Sequence, residues 1–90
     1  MATFQKEVEA ELVDLFDPTS DERREIGQIA EQADQLRSAL ERQEGETIDL
    51  SVDLIVEKME ERASKGPKWA WNNWVGTVKS FGLVPEGYQI

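Results

Sequence analysis

The sequence predicts an all-α protein: a small bundle of about four helices with short loops and a docked C-terminal tail. Apolar residues recur at three- and four-residue spacing in four separate segments, which is the periodicity of amphipathic helices. Proline and glycine separate these segments. The length of 90 residues fits a single helical domain over residues 1–90.

The first helix is predicted over Thr3–Phe16, because its apolar residues share one face. They are Phe4, Val8, Leu12, Leu15 and Phe16. Two caps are possible for the second helix. Either Asp17 caps it with Pro18 in the first turn, or Thr19 caps it and Glu22 completes a capping box.

The second helix is expected to run to about Gln43 and to stop before Gly45. Its apolar residues form a narrow seam with coiled-coil-like spacing. They are Ile26, Ile29, Ala33, Leu36 and Leu40. Such a seam packs against neighbouring helices, either within the chain or from another copy. We expect a homo-oligomer that forms through this seam or through the first helix.

Apolar and polar residues alternate over Glu46–Asp53, which is a strand pattern. No second strand is available to pair with it, so we expect an extended link followed by a helix capped by Ser51. The apolar face of this third helix consists of Val52, Ile55, Val56, Met59 and Ala63. Leu54 lies about opposite that face, so it is either exposed or in contact with another part of the chain.

Gly66 and Pro67 are expected to end the third helix and begin the fourth, which Gly82 terminates. The predicted buried stripe of the fourth helix is Trp71, Trp74, Val75, Val78 and Phe81. The apolar residues of 83–90 indicate that the tail docks on the bundle. The predicted core is Val8, Leu12, Ile29, Leu36, Ile55, Met59, Trp74 and Val78.

The composition argues against catalysis. The chain has no cysteine and no histidine, which excludes disulfides, thiolate metal sites and the commonest general base. No phosphate-binding loop, nucleophile elbow or dinucleotide fingerprint is present. We therefore expect no enzyme activity, metal or cofactor. The clustered acids Glu57, Glu60 and Glu61 are interpreted as surface residues paired with Lys58, Arg62 or Lys65.

The location predicted from the sequence is cytoplasmic, without membrane association. No apolar run is long enough for a transmembrane helix, and the N-terminal residues lack a signal-peptide pattern.

The net charge of −9 is unevenly distributed. Residues 7–22 contain seven acids and no base, whereas residues 62–85 contain four bases and no acid. The overall sign disfavours direct nucleic-acid binding. The acids of the first helix are Glu7, Glu9, Glu11 and Asp14. They could form a solvated surface, imitate nucleic-acid phosphates in a partner's basic groove, or pair with the basic part of another copy in a homo-oligomer.

Trp69 points away from the buried stripe of the fourth helix. It shares a small, polar face with Asn72, Asn73 and Gly76. This face is either a protein-binding surface with Trp69 as its anchor, or Trp69 folds back over the preceding loop. Lys65 and Lys68 beside Trp69 offer an alternative, a site for a small nucleotide.

The predicted function is a non-enzymatic binding protein that occludes or sequesters a macromolecular partner, most simply another protein. The acidic first helix and the Trp69 face would be its contact surfaces. In composition, though in no motif, the short acidic chain resembles many phage-encoded inhibitors and small bacterial accessory proteins, which suggests a phage-type anti-defence role. The alternatives are a nucleotide-binding sponge or sensor at an oligomer interface and a structural subunit of a larger assembly.

Overall fold

Four α-helices and one short 3-10 turn make up the protein, in a computed structural model that describes residues 3–45 and 47–90. The elements are α1 Phe4–Phe16, α2 Ser20–Arg42, α3 Val52–Glu61, the 3-10 turn Ala63–Lys65 and α4 Pro67–Ser80. No strand occurs in these two ranges. The all-α prediction is therefore confirmed. Glu46, where the extended link was predicted to begin, lies outside the described residues.

Side-chain caps fix where the first three helices begin. Thr3 caps α1 and Ser51 caps α3, each hydroxyl accepting a hydrogen bond from a first-turn N–H. Of the two possible caps for α2, the structure has Thr19. Its hydroxyl accepts from the N–H of Glu22 at 3.3 Å, while the Glu22 carboxylate accepts from the Thr19 N–H at 3.1 Å. Asp17 instead ends α1 in a left-handed conformation with φ 45°.

The helices form a four-cornered bundle. α1 packs against α2 and α3, and α4 packs against the same two helices. α1 and α4 therefore lie at opposite corners, and their outer faces point to different sides of the protein.

The core lies between the four helices. Its buried apolar residues are Val8, Leu12, Ile26, Ile29, Ala30, Ala33, Leu36, Leu40, Leu50, Ile55, Met59, Ala70, Trp71, Trp74, Val75 and Val84. Seven of the eight predicted core residues are among them, and the eighth, Val78, is half-buried against this cluster. The whole Ile26–Leu40 seam of α2 is buried within the chain, so it is not available to another copy.

Two details differ from the predictions, the exposure of Phe81 and a 3-10 turn after α3. Phe81, predicted in the buried stripe, is 73% exposed. The reason is that α4 ends at Ser80 and the chain turns at Gly82 with φ 76°, so Val84 is the residue of the tail that enters the core. Of the two alternatives for Leu54, the structure has the contact: its side chain is half-buried against the core. The 3-10 turn after α3 was not predicted.

The tail, residues 81–90, docks on α4 as predicted. The buried Trp71 indole donates its N–H to the Tyr88 carbonyl oxygen at 2.8 Å. Two hydrogen bonds join the Asn72 side chain to the backbone of Ile90. The tail is thereby fixed along one flank of α4.

We predict that Thr19→Ala lowers the free energy of unfolding by about 1 kcal/mol, because it removes the acceptor that satisfies an N–H at the start of α2. Urea denaturation followed by circular dichroism measures the change. The control is Ser38→Ala, which removes an exposed hydroxyl in the middle of the same helix and should not destabilise the protein. Equal losses in the two variants would contradict the capping role.

Candidate interaction surfaces

The four acids predicted to bind a partner are all exposed on α1. Glu7, Glu9, Glu11 and Asp14 project into solvent. Within residues 3–45 and 47–90, none of them lies within 4 Å of a basic side chain. No ion pair in the described part of the chain therefore neutralises their charges.

These acids do not lie on one line. The Glu9 carboxylate is beside α2, where its Oε2 is 3.6 Å from the position that a Cβ on Gly27 would take. At 100° per residue, Glu7, Glu11 and Asp14 lie on the other flank of α1, toward α3. Only these three form a row.

α3 adds a second row with the same spacing. Asp53, Glu57 and Glu60 are exposed, share the outer face of α3 and form no ion pair among the described residues. We call the six residues of the two rows the acidic surface. They are Glu7, Glu11, Asp14, Asp53, Glu57 and Glu60.

Sequence reasoning missed the second row because it interpreted Glu57, Glu60 and Glu61 as paired with nearby bases. Among the described residues only Glu61 of these three is paired, with Lys58 at 3.7 Å and Arg62 at 3.2 Å. The available signal was the spacing, since the residue steps of four and three are the same in both helices.

The second candidate site is a groove at the beginning of α4, with a volume of about 550 Å³. We call it the Trp69 groove, and its lining is Glu25, Lys65, Lys68, Trp69, Asn72 and Asn73. It brings together the three residues of the predicted nucleotide site. The Trp69 side chain is 41% exposed, and the Lys65 ammonium lies 4.8 Å from the centre of its ring.

The rest of the predicted Trp69 face is partly covered by the tail. The Asn72 amide donates to the Ile90 carbonyl oxygen at 2.9 Å and accepts from the Ile90 N–H at 2.8 Å. A Cβ on Gly76 would lie 3.2 Å from Nε2 of Gln89. Gly76 therefore faces the tail, and Trp69 and Asn73 are the exposed members of this face.

The groove can bind a ring and an anion together. Lys65 and Lys68 have no carboxylate within 4 Å in the described part of the chain. An exposed cation–π contact contributes about 0.5–1 kcal/mol, whereas stacking a base on an aromatic side chain contributes about 1–3 kcal/mol. A planar ligand can therefore displace the Lys65 ammonium from Trp69. Glu25 adds a negative charge on the α2 side of the groove, and this carboxylate repels anions placed there.

The N-terminus of α4 adds little to anion binding. Gly66 precedes the helix without a side-chain cap, but the Glu22 carboxylate lies 3.6 Å from the position of a Cβ on Gly66. The positive end of the helix dipole thus already faces a carboxylate of the chain. Anion binding in the groove depends on the lysines.

A second groove of about 550 Å³ lies between the start of α1, the end of α2 and residues 47–52. Its Arg37 is placed over the Phe4 ring at 4.6 Å and is 3.9 Å from a carboxylate oxygen of Glu41. The Arg37 charge is therefore already paired, and Asp49 adds a second acid to the lining of this groove.

The described residues contain neither a metal-binding cluster nor a membrane-spanning helix. No group of three or more potential metal ligands occurs in residues 3–45 and 47–90. Over the same residues, no helix has the length and apolar character required to cross a membrane.

Comparison with protein-family models, curated proteins and solved structures finds no match for this chain.

We predict that Asn72→Ala releases the end of the tail, because it removes both hydrogen bonds to the Ile90 backbone. Amide hydrogen exchange over residues 84–90 should accelerate, with a loss of about 1–2 kcal/mol in unfolding free energy. Asn73→Ala is the matched control, because Asn73 bonds to Arg62 and not to the tail. If the tail amides of both variants exchanged at the wild-type rate, the Asn72 contact would not be what holds the tail.

Proposed function

We propose that this protein is a non-enzymatic binding protein that captures a basic surface of a macromolecular partner with its acidic surface and thereby blocks that surface. The observation behind the proposal is the pair of carboxylate rows on α1 and α3. They have the same spacing, are exposed, and form no ion pair among the described residues.

The spacing of the charges suits a partner that normally holds a nucleic-acid backbone. With a rise of 1.5 Å per residue, the row from Glu7 to Asp14 spans about 10 Å and places a charge about every 5 Å. A DNA strand carries one phosphate charge per about 3.4 Å of helix axis. Two adjacent rows therefore present carboxylates at a density that lysines and arginines of a nucleic-acid-binding groove can meet.

The rows are also rigid. Val8 and Leu12, on the inner face of α1, are completely buried, as are Ile55 and Met59 in α3. The backbone beneath the carboxylates is thus already ordered, so binding requires little further ordering of this protein. Its net charge of −9 would also attract a basic partner from a distance and accelerate association.

This proposal assigns partner capture to α1 and α3, without Trp69. α4 lies at the corner of the bundle opposite α1, so a flat partner surface that covers the α1 row does not reach Trp69. An inhibitor of a nucleic-acid-binding protein, including a phage-type anti-defence protein, is the form of function that these surfaces favour.

The test reverses the α1 row with Glu7→Lys, Glu11→Lys and Asp14→Lys in one variant. Used as bait in the native cell extract, the wild type should retain a basic partner that this variant loses, because its lysines repel the partner's bases. With the purified partner, Kd should rise by at least about tenfold in the variant. Wild-type binding should weaken between about 0.05 and 0.3 M salt, as screening increases.

The control variant changes the same number of charges elsewhere, with Glu31→Lys, Glu44→Lys and Glu86→Lys at exposed positions. It should bind as the wild type does, and both variants should keep the helical circular dichroism signal. Equal partner retention by the α1 variant and this control would show that the acidic surface is only solvated.

A further inference from the structure

We propose that the Trp69 groove binds a mononucleotide, with the base stacked on Trp69 and the phosphate held by Lys65 and Lys68. This site lies on the side of the bundle away from α1, and none of its lining residues belongs to the acidic surface.

The exposed Trp69 ring is positioned to stack on a ligand. It is one of two large apolar side chains exposed in the described residues, and it lines a groove instead of standing on a flat face. The Lys65 ammonium lies 4.8 Å from the ring centre, so this face of the indole is covered by one exposed side chain, which a ligand that approaches from the groove can displace. A purine ring is flat and can stack there.

The positive charge of the groove lies next to Trp69. Lys65 and Lys68 both precede Trp69 in the sequence and line the same groove. Neither makes an ion pair within the described ranges. When a base replaces the Lys65 ammonium on the ring, that ammonium is released next to the phosphate of the same ligand.

Glu25 and Asn73 give the groove a polar edge. The Glu25 carboxylate can accept hydrogen bonds from an exocyclic amine or from ribose hydroxyls, which inorganic phosphate lacks. Asn73 accepts from Nε of Arg62 at 3.0 Å through its Oδ1, and its amide nitrogen has no partner among the described residues. It can therefore donate to a base or a sugar oxygen.

One wall of the groove is already ordered. The Asn72 side chain is held on both sides by the Ile90 backbone, at 2.8 and 2.9 Å. The volume of about 550 Å³ lies within the range of small-molecule sites.

A mononucleotide fits this chain better than a longer nucleic acid does. Each added phosphate increases the repulsion from a protein of net charge −9, and only two lysines line the groove. The acidic surface of another copy is also a poor occupant, because Glu25 and the net charge of that copy repel it.

The experiment titrates AMP and GMP into the full chain by calorimetry and follows acrylamide quenching of tryptophan fluorescence. Trp71 and Trp74 are buried, so quenching reports mainly on Trp69. We expect saturable binding with one site per chain and protection of Trp69 from acrylamide. Lys65→Ala with Lys68→Ala should weaken binding by at least about tenfold. Trp69→Leu should weaken it similarly and abolish the fluorescence change.

The charge-matched control is Lys6→Ala with Lys79→Ala, since neither residue lines the groove. Its Kd should stay within about twofold of wild type. Inorganic phosphate should bind at least about tenfold more weakly than AMP. The proposal is overturned by silence with both nucleotides, by equal effects of the two lysine pairs, or by binding of a short single-stranded oligonucleotide without binding of either mononucleotide.

Discussion

The tail and the groove beside it both depend on the burial of Trp71. Its side chain is among the largest that are completely buried, yet it carries an indole N–H that requires an acceptor. The Tyr88 carbonyl supplies that acceptor at 2.8 Å, whereas an unpaired buried donor would cost about 1–3 kcal/mol. Docking of the tail is thus part of satisfying the core. Once docked, the tail reaches Asn72 and fixes one wall of the Trp69 groove.

The same packing separates the two charge regions of the chain. Because α1 and α4 each pack on α2 and α3, the acids of α1 and the bases near the start of α4 cannot meet within one molecule. Internal neutralisation is therefore incomplete, and the ion pairs of the described residues are short-range ones along α2 and α3. Each region is left with charge available for a ligand.

Local patterns in the sequence predict most of the fold but only part of the sites. Local spacing predicts the caps at Thr19 and Ser51 and the buried stripe of α2, because each depends on residues within one or two helical turns. Phe81 is exposed because α4 ends before it, and the apolar periodicity of α4 does not predict where the helix ends. The contacts of Asn72 with Ile90 and of Glu25 with the groove join residues distant in sequence. Residue spacing within a single helix cannot predict such long-range contacts.

Distance and screening separate the acids of α1 from the Trp69 groove. Packed helices lie about 8–10 Å apart, so opposite corners of the bundle are about 11–14 Å apart, and side chains on outer faces are farther still. The Debye length at physiological ionic strength is about 8 Å, which is shorter than this separation. The acids of α1 therefore contribute little to the potential inside the Trp69 groove, where Lys65, Lys68 and Glu25 dominate. An anion can bind there although the protein as a whole is strongly negative.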